Sequence, residues 1–288
     1  MRVLVKPNTI NQLKEVAESK CAGIRFGSEF CENSIPDIKT LRHAHELAEG
    51  SEKSFSYNIP LLTNRGLDKI KPQLEYLNEI DDIEIVTGDL GVLNLLRDKE
   101  VKTRLGRTRV YIPARSPWDQ ITRMPNPSFF ALRKVEKLFY QTSLNYRRVL
   151  EFFTSHGVVG ADVDLIPKCF SNYRDIIKKG LSLSTHTHCI PIAVTMRCHT
   201  ARFLGESSPE ECSLPCMTKV HTIKQRELGK KFLLHGNVVY RSVDITSSDI
   251  KTLNRIGVEE LIIPMSPLNE INTAKEIDDY IRDFNLGA

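Results

Sequence analysis

Along the first hundred residues, short unbroken apolar runs alternate with runs whose apolar positions recur every three or four residues. The short runs at 2–6, 23–27, 54–60 and 83–86 predict strands. The spaced runs at 9–20, 36–48, 66–79 and from 89 onward predict helices. Thr9 stands where an N-cap belongs, with Leu13, Val16 and Ala17 on one helical face, and Pro36 opens the second helix. Four β–α units with short links imply a parallel sheet wrapped by helices. No Gly-x-Gly-x-x-Gly turn occurs, so the rhythm predicts a (β/α) barrel rather than a dinucleotide-binding sheet.

The middle of the chain is less regular. Residues 103–112 carry Arg104, Arg107 and Arg109. Residues 113–127 follow, with Pro113, Pro117, Pro125, Pro127 and the single tryptophan, Trp118; this stretch predicts an excursion from the barrel. Further helices are predicted at 129–137, 145–156, 248–255 and 271–284, and strands at 158–164, 190–194, 231–237 and 260–263. Roughly eight strands result, with no repeat and no clear linker. Residues 1–288 therefore read as one α/β, TIM-barrel-like domain, whether fully closed or distorted. The 190–194 strand runs into 198–216, where Cys198, Cys212 and Cys216 sit among turn formers and predict a loop.

With 288 residues, 41% of them hydrophobic, a large core is available. A net charge of +4 does not demand an acidic partner. No apolar run approaches the roughly 18 residues of a membrane span, and the chain starts directly in a strand pattern, so the expected location is the cytoplasm. Cysteine changes the picture more. Seven thiols, an odd number, in a reducing compartment point to metal binding or chemistry rather than to disulfides.

In a barrel, functional groups stand on the loops after the strands' C-terminal ends. Cys31 follows the second strand and Cys198 follows the 190–194 strand. Both should open on one face, with Cys212 and Cys216 alongside. Four thiolates suit zinc or an iron–sulfur cluster. The intervening gaps of 13 and three residues are not the paired Cys-x-x-Cys hooks of zinc ribbons, but spacing alone leaves both metals open.

The segments Phe26-Gly27-Ser28-Glu29-Phe30-Cys31, Thr87-Gly88-Asp89-Leu90-Gly91-Val92-Leu93, Arg197-Cys198-His199-Thr200-Ala201-Arg202 and Pro209-Glu210-Glu211-Cys212-Ser213-Leu214-Pro215-Cys216 resemble the collagenase-like peptidases of unknown catalytic type. The resemblance is greatest to the short branch that includes the V-type subunit of the oxygen-independent ubiquinone hydroxylation pair. It covers residues 1 to about 265. It implies that Cys31, Cys198, Cys212 and Cys216 hold a 4Fe–4S cluster. It also implies hydroxylation without molecular oxygen, on ubiquinone precursors or RNA bases, with prephenate as an oxygen source, and action beside a homologous barrel subunit. The Pro-rich excursion has no counterpart in that branch, and the segments 157–164 and 234–237 look more like general family members.

Other residues carry two readings each. Cys21, Cys169 and Cys189 read as buried core thiols, with Cys189 the substitute if one ligand is misassigned. His186 and His188 share a strand face and could bind metal or shuttle protons, but a solvated strand start explains them too. Asp89 is either a catalytic carboxylate or the N-cap of the helix it precedes. Arg107 and Arg197 could offer forked donors to a dicarboxylate, or stand as surface charges. Arg25, if buried in its strand, needs an acidic partner that the sequence does not name. Arg104, Arg107, Arg109 and Arg115 beside Tyr111 and Trp118 form the one stretch suited to nucleic acid, and a solvated charged face accounts for it equally. A peptidase lacks support: there is no Gly-x-Ser-x-Gly elbow and no His-Glu-x-x-His helix. Four thiolates can also fill every iron site. That suits electron transfer or a non-catalytic accessory role, and not a cluster with an iron open to S-adenosylmethionine.

Overall fold

The computed structural model describes residues 1–117, 129–205, 212–227 and 229–286. Seven strands come first: β1 (Arg2–Lys6), β2 (Gly23–Gly27), β3 (Ser54–Ile59), β4 (Glu84–Thr87), β5 (Lys102–Leu105), β6 (Val158–Asp164) and β7 (Ser182–His186). The chain then leaves for β8 (Cys189–Val194), β9 (His221–Gln225), β10 (Lys230–His235) and β11 (Val238–Ser242), and returns as β12 (Glu260–Pro264). β12 pairs in parallel with both β1 and β7 and closes an eight-stranded barrel. The other four strands form a separate antiparallel sheet, in the order β8-β11-β10-β9.

Two sequence expectations are corrected here. The 190–194 strand exists, but as β8 of the second sheet, outside the barrel ring. The seventh barrel strand is Ser182–His186. Its alternation puts only Leu183 and Thr185 on the helix side, and Ser184 and His186 on the other. A strand so polar passes unnoticed in a hydrophobic scan. His188, at φ 66°, makes the turn that carries the chain out of the barrel; a non-glycine residue holds that conformation only at some strain.

The helices α1 (Ile10–Glu18), α2 (Ile38–Gly50), α3 (Asn64–Leu77), α4 (Leu90–Leu96), α5 (Phe129–Phe139), α6 (Arg147–Thr154) and α7 (Phe170–Ile177) follow the first six strands. The short α8 (His199–Phe203) belongs to the inserted sheet, and α9 (Ser247–Ile256) and α10 (Ala274–Asp283) flank β12. Sequence signals start them: Thr9 accepts from the Gln12 amide, and Thr246 and Thr273 form reciprocal capping boxes with Asp249 and Glu276. Of the excursion expected at 113–127, Pro113–Arg115 is a single 3-10 turn, and 118–127 lies outside the described residues.

The core lies between barrel and helices, where residues such as Ile24, Tyr57, Ile85 and Val163 are fully buried. Each such side chain contributes about 1.5–3 kcal/mol. The alternate residues face the barrel axis, and several of them are charged. Arg25, with none of its surface exposed, reaches Glu260 at 3.2 Å, Glu84 at 3.3 Å and Asp162 at 3.7 Å. Arg104 bonds Glu84 and Ser182, and Ser184 donates to Glu260. Barrel interiors are ordinarily filled by branched apolar layers; this one holds an ion-pair column. The acidic partners that Arg25 requires come from β4, β6 and β12, three strands across the barrel.

Candidate functional site

A cavity of about 410 Å³ opens at the C-terminal ends of the barrel strands, beneath the inserted sheet. Lys6 ends β1, Glu29 follows β2, Arg107 follows β5, His186 ends β7 and Pro264 ends β12; all line it. Phe26, Phe30, Ile35, Leu268 and Tyr240 supply an apolar wall. The roof comes from the insertion: Cys189, Cys216 and the turn His235-Gly236-Asn237.

The polar floor is one connected network. Arg107 grips both oxygens of Glu29 at 2.6 and 2.9 Å, and its third nitrogen reaches Asp164 at 3.1 Å and the Cys189 carbonyl at 2.9 Å. Arg115 bonds the second oxygen of Asp164 and the Arg107 carbonyl. Lys6 donates to Glu29 at 2.7 Å, and Lys6 and Arg107 both lie over the Phe30 ring. Burial alone would push the Glu29 carboxyl up; Arg107 and Lys6 override it and hold it well below the usual range. Burial lowers the Lys6 ammonium, against the pull of Glu29.

Below the floor, His186 Nε2 lies 2.8 Å from Asp162 Oδ2, and both residues are about 1% exposed. Burial, with Arg107 second among the groups that lower it, holds the imidazole below its ordinary value, while Glu29 and Asp162 oppose. Burial would raise Asp162, but Arg25 and His186 keep it lowered. The pair is a neutral imidazole donating to an ionised carboxylate.

The thiols meet at one side of this cavity. Cys31 and Cys216 line it directly. Burial pushes the Cys216 thiol up to about 12, and the neighbouring Cys31, Cys198 and Cys212 sulfurs add to the rise. Sulfurs gathered near Cys216 in this way are a donor set that a multiply charged cation would ionise and hold. Among the described residues no group of three or more His, Cys, Asp or Glu side chains closes on a single metal position. A single zinc needs all its thiolates about 2.3 Å from one point. A cluster takes each thiolate on a different iron and so accepts a wider set.

The turn between β10 and β11 braces the segments that carry these sulfurs. Asn237 Nδ2 donates to the carbonyls of Phe30 and Thr195, each at 2.8 Å. The Gly236 carbonyl accepts from the Thr200 amide and hydroxyl. Gly236 holds φ at 61°, and a Cβ there would press to 3.4 Å from the Cys216 sulfur. Asn237→Ala should therefore cost about 1 kcal/mol, because two part-buried carbonyls lose their donor. Guanidinium unfolding should show a lower midpoint with an unchanged slope.

The structure sorts the remaining expectations. Arg107 is central to the cavity but committed to protein carboxylates, so it is a clamp and not a dicarboxylate receptor. Arg197 is exposed and outside the cavity lining. Asp89 caps α4, accepting from the Val92 and Leu62 amides at 3.0 Å each, and does not line the cavity. Cys21 and Cys169 are core thiols. Cys189 is buried and lines the cavity, with its thiol 3.4 Å from the Leu268 carbonyl. His186 is no solvated strand start: it ends β7, deep in the mouth. The arginines proposed for nucleic acid turn inward, Arg109 onto the Gly88 carbonyl and the others onto the ion pairs above. Trp118 lies outside the described residues. Lys6, Glu29, Asp162 and Asp164 were missed. Lys6 and Glu29 obey the rule that singled out Cys31, since each stands at the C-terminal end of a barrel strand.

No family model matches the chain, and no curated protein matches it. Among solved structures, a U32 peptidase is similar over 92% of this chain and 93% of its own, at 13% identity and a TM-score of 0.48. A D-tagatose 3-epimerase-like protein aligns over 99% and 97%, at 12% identity and 0.39. A D-psicose 3-epimerase, solved in the presence of D-fructose, aligns over 100% of both chains at 10% identity and 0.35. The barrel itself is established by the strand pairings described above.

Proposed function

We propose that this chain is an iron–sulfur barrel protein taking part in oxygen-independent hydroxylation of a small, partly aromatic molecule. The observation that carries the reading is the shared wall: Cys31 and Cys216 belong to the four-sulfur set and also line the cavity. A substrate in the mouth would lie beside the redox group. When bound, a 4Fe–4S cluster held by Cys31, Cys198, Cys212 and Cys216 supplies one-electron transfer. The chain's own residues do the rest. The apolar wall of Phe26, Phe30 and Tyr240 accepts a ring and excludes water, and the closed Lys6–Glu29–Arg107–Asp164 network fixes the floor. Prephenate as oxygen donor and a ubiquinone precursor as acceptor follow from the family resemblance and belong to this proposal, as does a cytoplasmic setting, whose reducing poise keeps thiols free to bind metal.

A second reading has its own support. Four thiolates leave no iron open, which suits an accessory subunit passing electrons to a homologous barrel. Turnover by the isolated chain would argue against it. Peptidase chemistry is disfavoured because burial raises the Cys189 thiol to about 11 and the Cys216 thiol to about 12, the reverse of an activated nucleophile. RNA-base hydroxylation loses its main support with the inward-facing arginines. Among the described residues no helix is long and apolar enough to cross a membrane.

Anaerobic purification with iron, sulfide and zinc analysis tests the proposal. The wild type should carry about four irons and four sulfides per chain, as a Cys₄-bound cluster requires, and Cys212→Ala should lose most of both. One zinc with no sulfide would sink the redox reading.

A further inference from the structure

The His186–Asp162 pair has no part in holding a cluster, and its geometry is that of an acid–base site. Asp162 Oδ2 accepts the hydrogen bond of His186 Nε2–H at 2.8 Å, and Arg25 stands 3.7 Å from the same oxygen. That leaves Nδ1 as the ring nitrogen with a lone pair. Among the described residues no hydrogen bond engages Nδ1, and His186 lines the cavity. An imidazole oriented by a buried carboxylate, on a residue that lines a ligand-sized cavity, has the arrangement that a general base requires.

We propose that His186 is the proton-accepting catalytic residue of the barrel mouth, with Asp162 and Arg25 as its positioning residues. This rests on the mouth being a reactive site, as proposed above, but not on the cluster. The ligand it would take presents an acidic O–H, N–H or C–H to Nδ1. The proton passes to Nδ1, the electrons of the broken X–H bond remain on the ligand, and the imidazolium so formed is stabilised by Asp162. Arg25 keeps Asp162 ionised, so that it fixes the Nε2–H tautomer. The charged groups around the ring act in opposite senses: Arg107, Lys6 and Arg25 disfavour its protonation, whereas Glu29, Asp162 and Asp164 favour it. Burial adds to the first set, so the free site holds the neutral ring at pH 7.

Nitrogen-15 NMR of histidine-labelled protein tests this, with His186→Gln assigning the resonance. The wild type should show a single tautomer protonated on Nε2 and a protonation midpoint below the ordinary value of about 6.5. Asp162→Asn should mix the tautomers. Should that variant fail to fold, the wild-type tautomer and midpoint decide the matter alone. A proton on Nδ1, or a midpoint at or above the ordinary value, overturns the proposal. Iron analysis is independent of these readouts. A chain without iron but with the Nε2–H tautomer refutes the cluster and leaves the base standing, and the opposite pattern does the reverse.

Discussion

Arg107→Met should destabilise the protein by about 3–5 kcal/mol, the cost of removing one partner from a buried charge set. The methionine fills much of the same space, so lost charge rather than lost volume dominates. Glu29 is left with Lys6 alone, and Asp164 with Arg115. The Glu29 carboxyl, now held low chiefly by Arg107, should then rise as burial prevails. The bond from Arg107 to the Cys189 carbonyl is also lost, which removes one tie between the start of β8 and the barrel. Guanidinium unfolding at pH 7.5 measures the effect. Glu29→Gln in the Arg107→Met background should recover part of the loss, because it removes the stranded charge. If the double variant is less stable than the single one, Arg107 acts through packing and the electrostatic account fails.

The position of Arg107 explains why the sequence disclosed the fold more readily than the site. The first four β–α units were legible because strand and helix periods alternate cleanly, and Thr9 and Asp89 mark helix starts through backbone chemistry that needs no tertiary context. Cys31, Cys198, Cys212 and Cys216 stood out because thiols on loops are rare, but the barrel rule applies to Cys31 alone: Cys198 follows β8 of the inserted sheet and not a barrel strand. The barrel's charged interior was not legible. Glu84, Asp162 and Glu260, from three other strands, come within 3.7 Å of Arg25 only once the barrel closes, and no local pattern encodes that closure. β7 was missed for the same reason. Its inward residues, Ser184 and His186, are polar because their partners are Glu260 and Asp162 on the neighbouring strands β12 and β6. The residues that make the interior polar thus hid the strand from a hydrophobic scan, and led the 190–194 run to be taken for its replacement.

Acidification should unfold the protein in two stages. His186 and His188 are both held below the ordinary histidine value by burial, His188 at about 4. The unfolded chain, with histidines near 6.5, binds more protons than the native one below that pH. Their contribution is therefore fully present above about pH 6.5 and is lost as pH falls toward 4. For His188 the difference amounts to roughly 3 kcal/mol at most. The second stage has the carboxylate sign. Glu29, Asp162 and Glu260 are lowered in the fold against burial, Glu29 by Arg107 and Lys6 and the other two chiefly by Arg25. Their stabilisation is present above the unfolded values near 4 and disappears as pH drops through the folded ones. Urea unfolding at pH 7.5, 5.5 and 4.5 should show a falling midpoint across the first interval. His188→Asn should lessen that fall by its own share, with His186 and the likewise burial-lowered His235 keeping the rest; asparagine tolerates the left-handed backbone that His188 adopts. Acid release of a thiolate-bound metal would also weaken the protein over this range, but that loss would persist in His188→Asn. A stability curve flat from pH 7.5 to 5 would show that the imidazoles are solvated, and with them the closed mouth on which the general-base assignment depends.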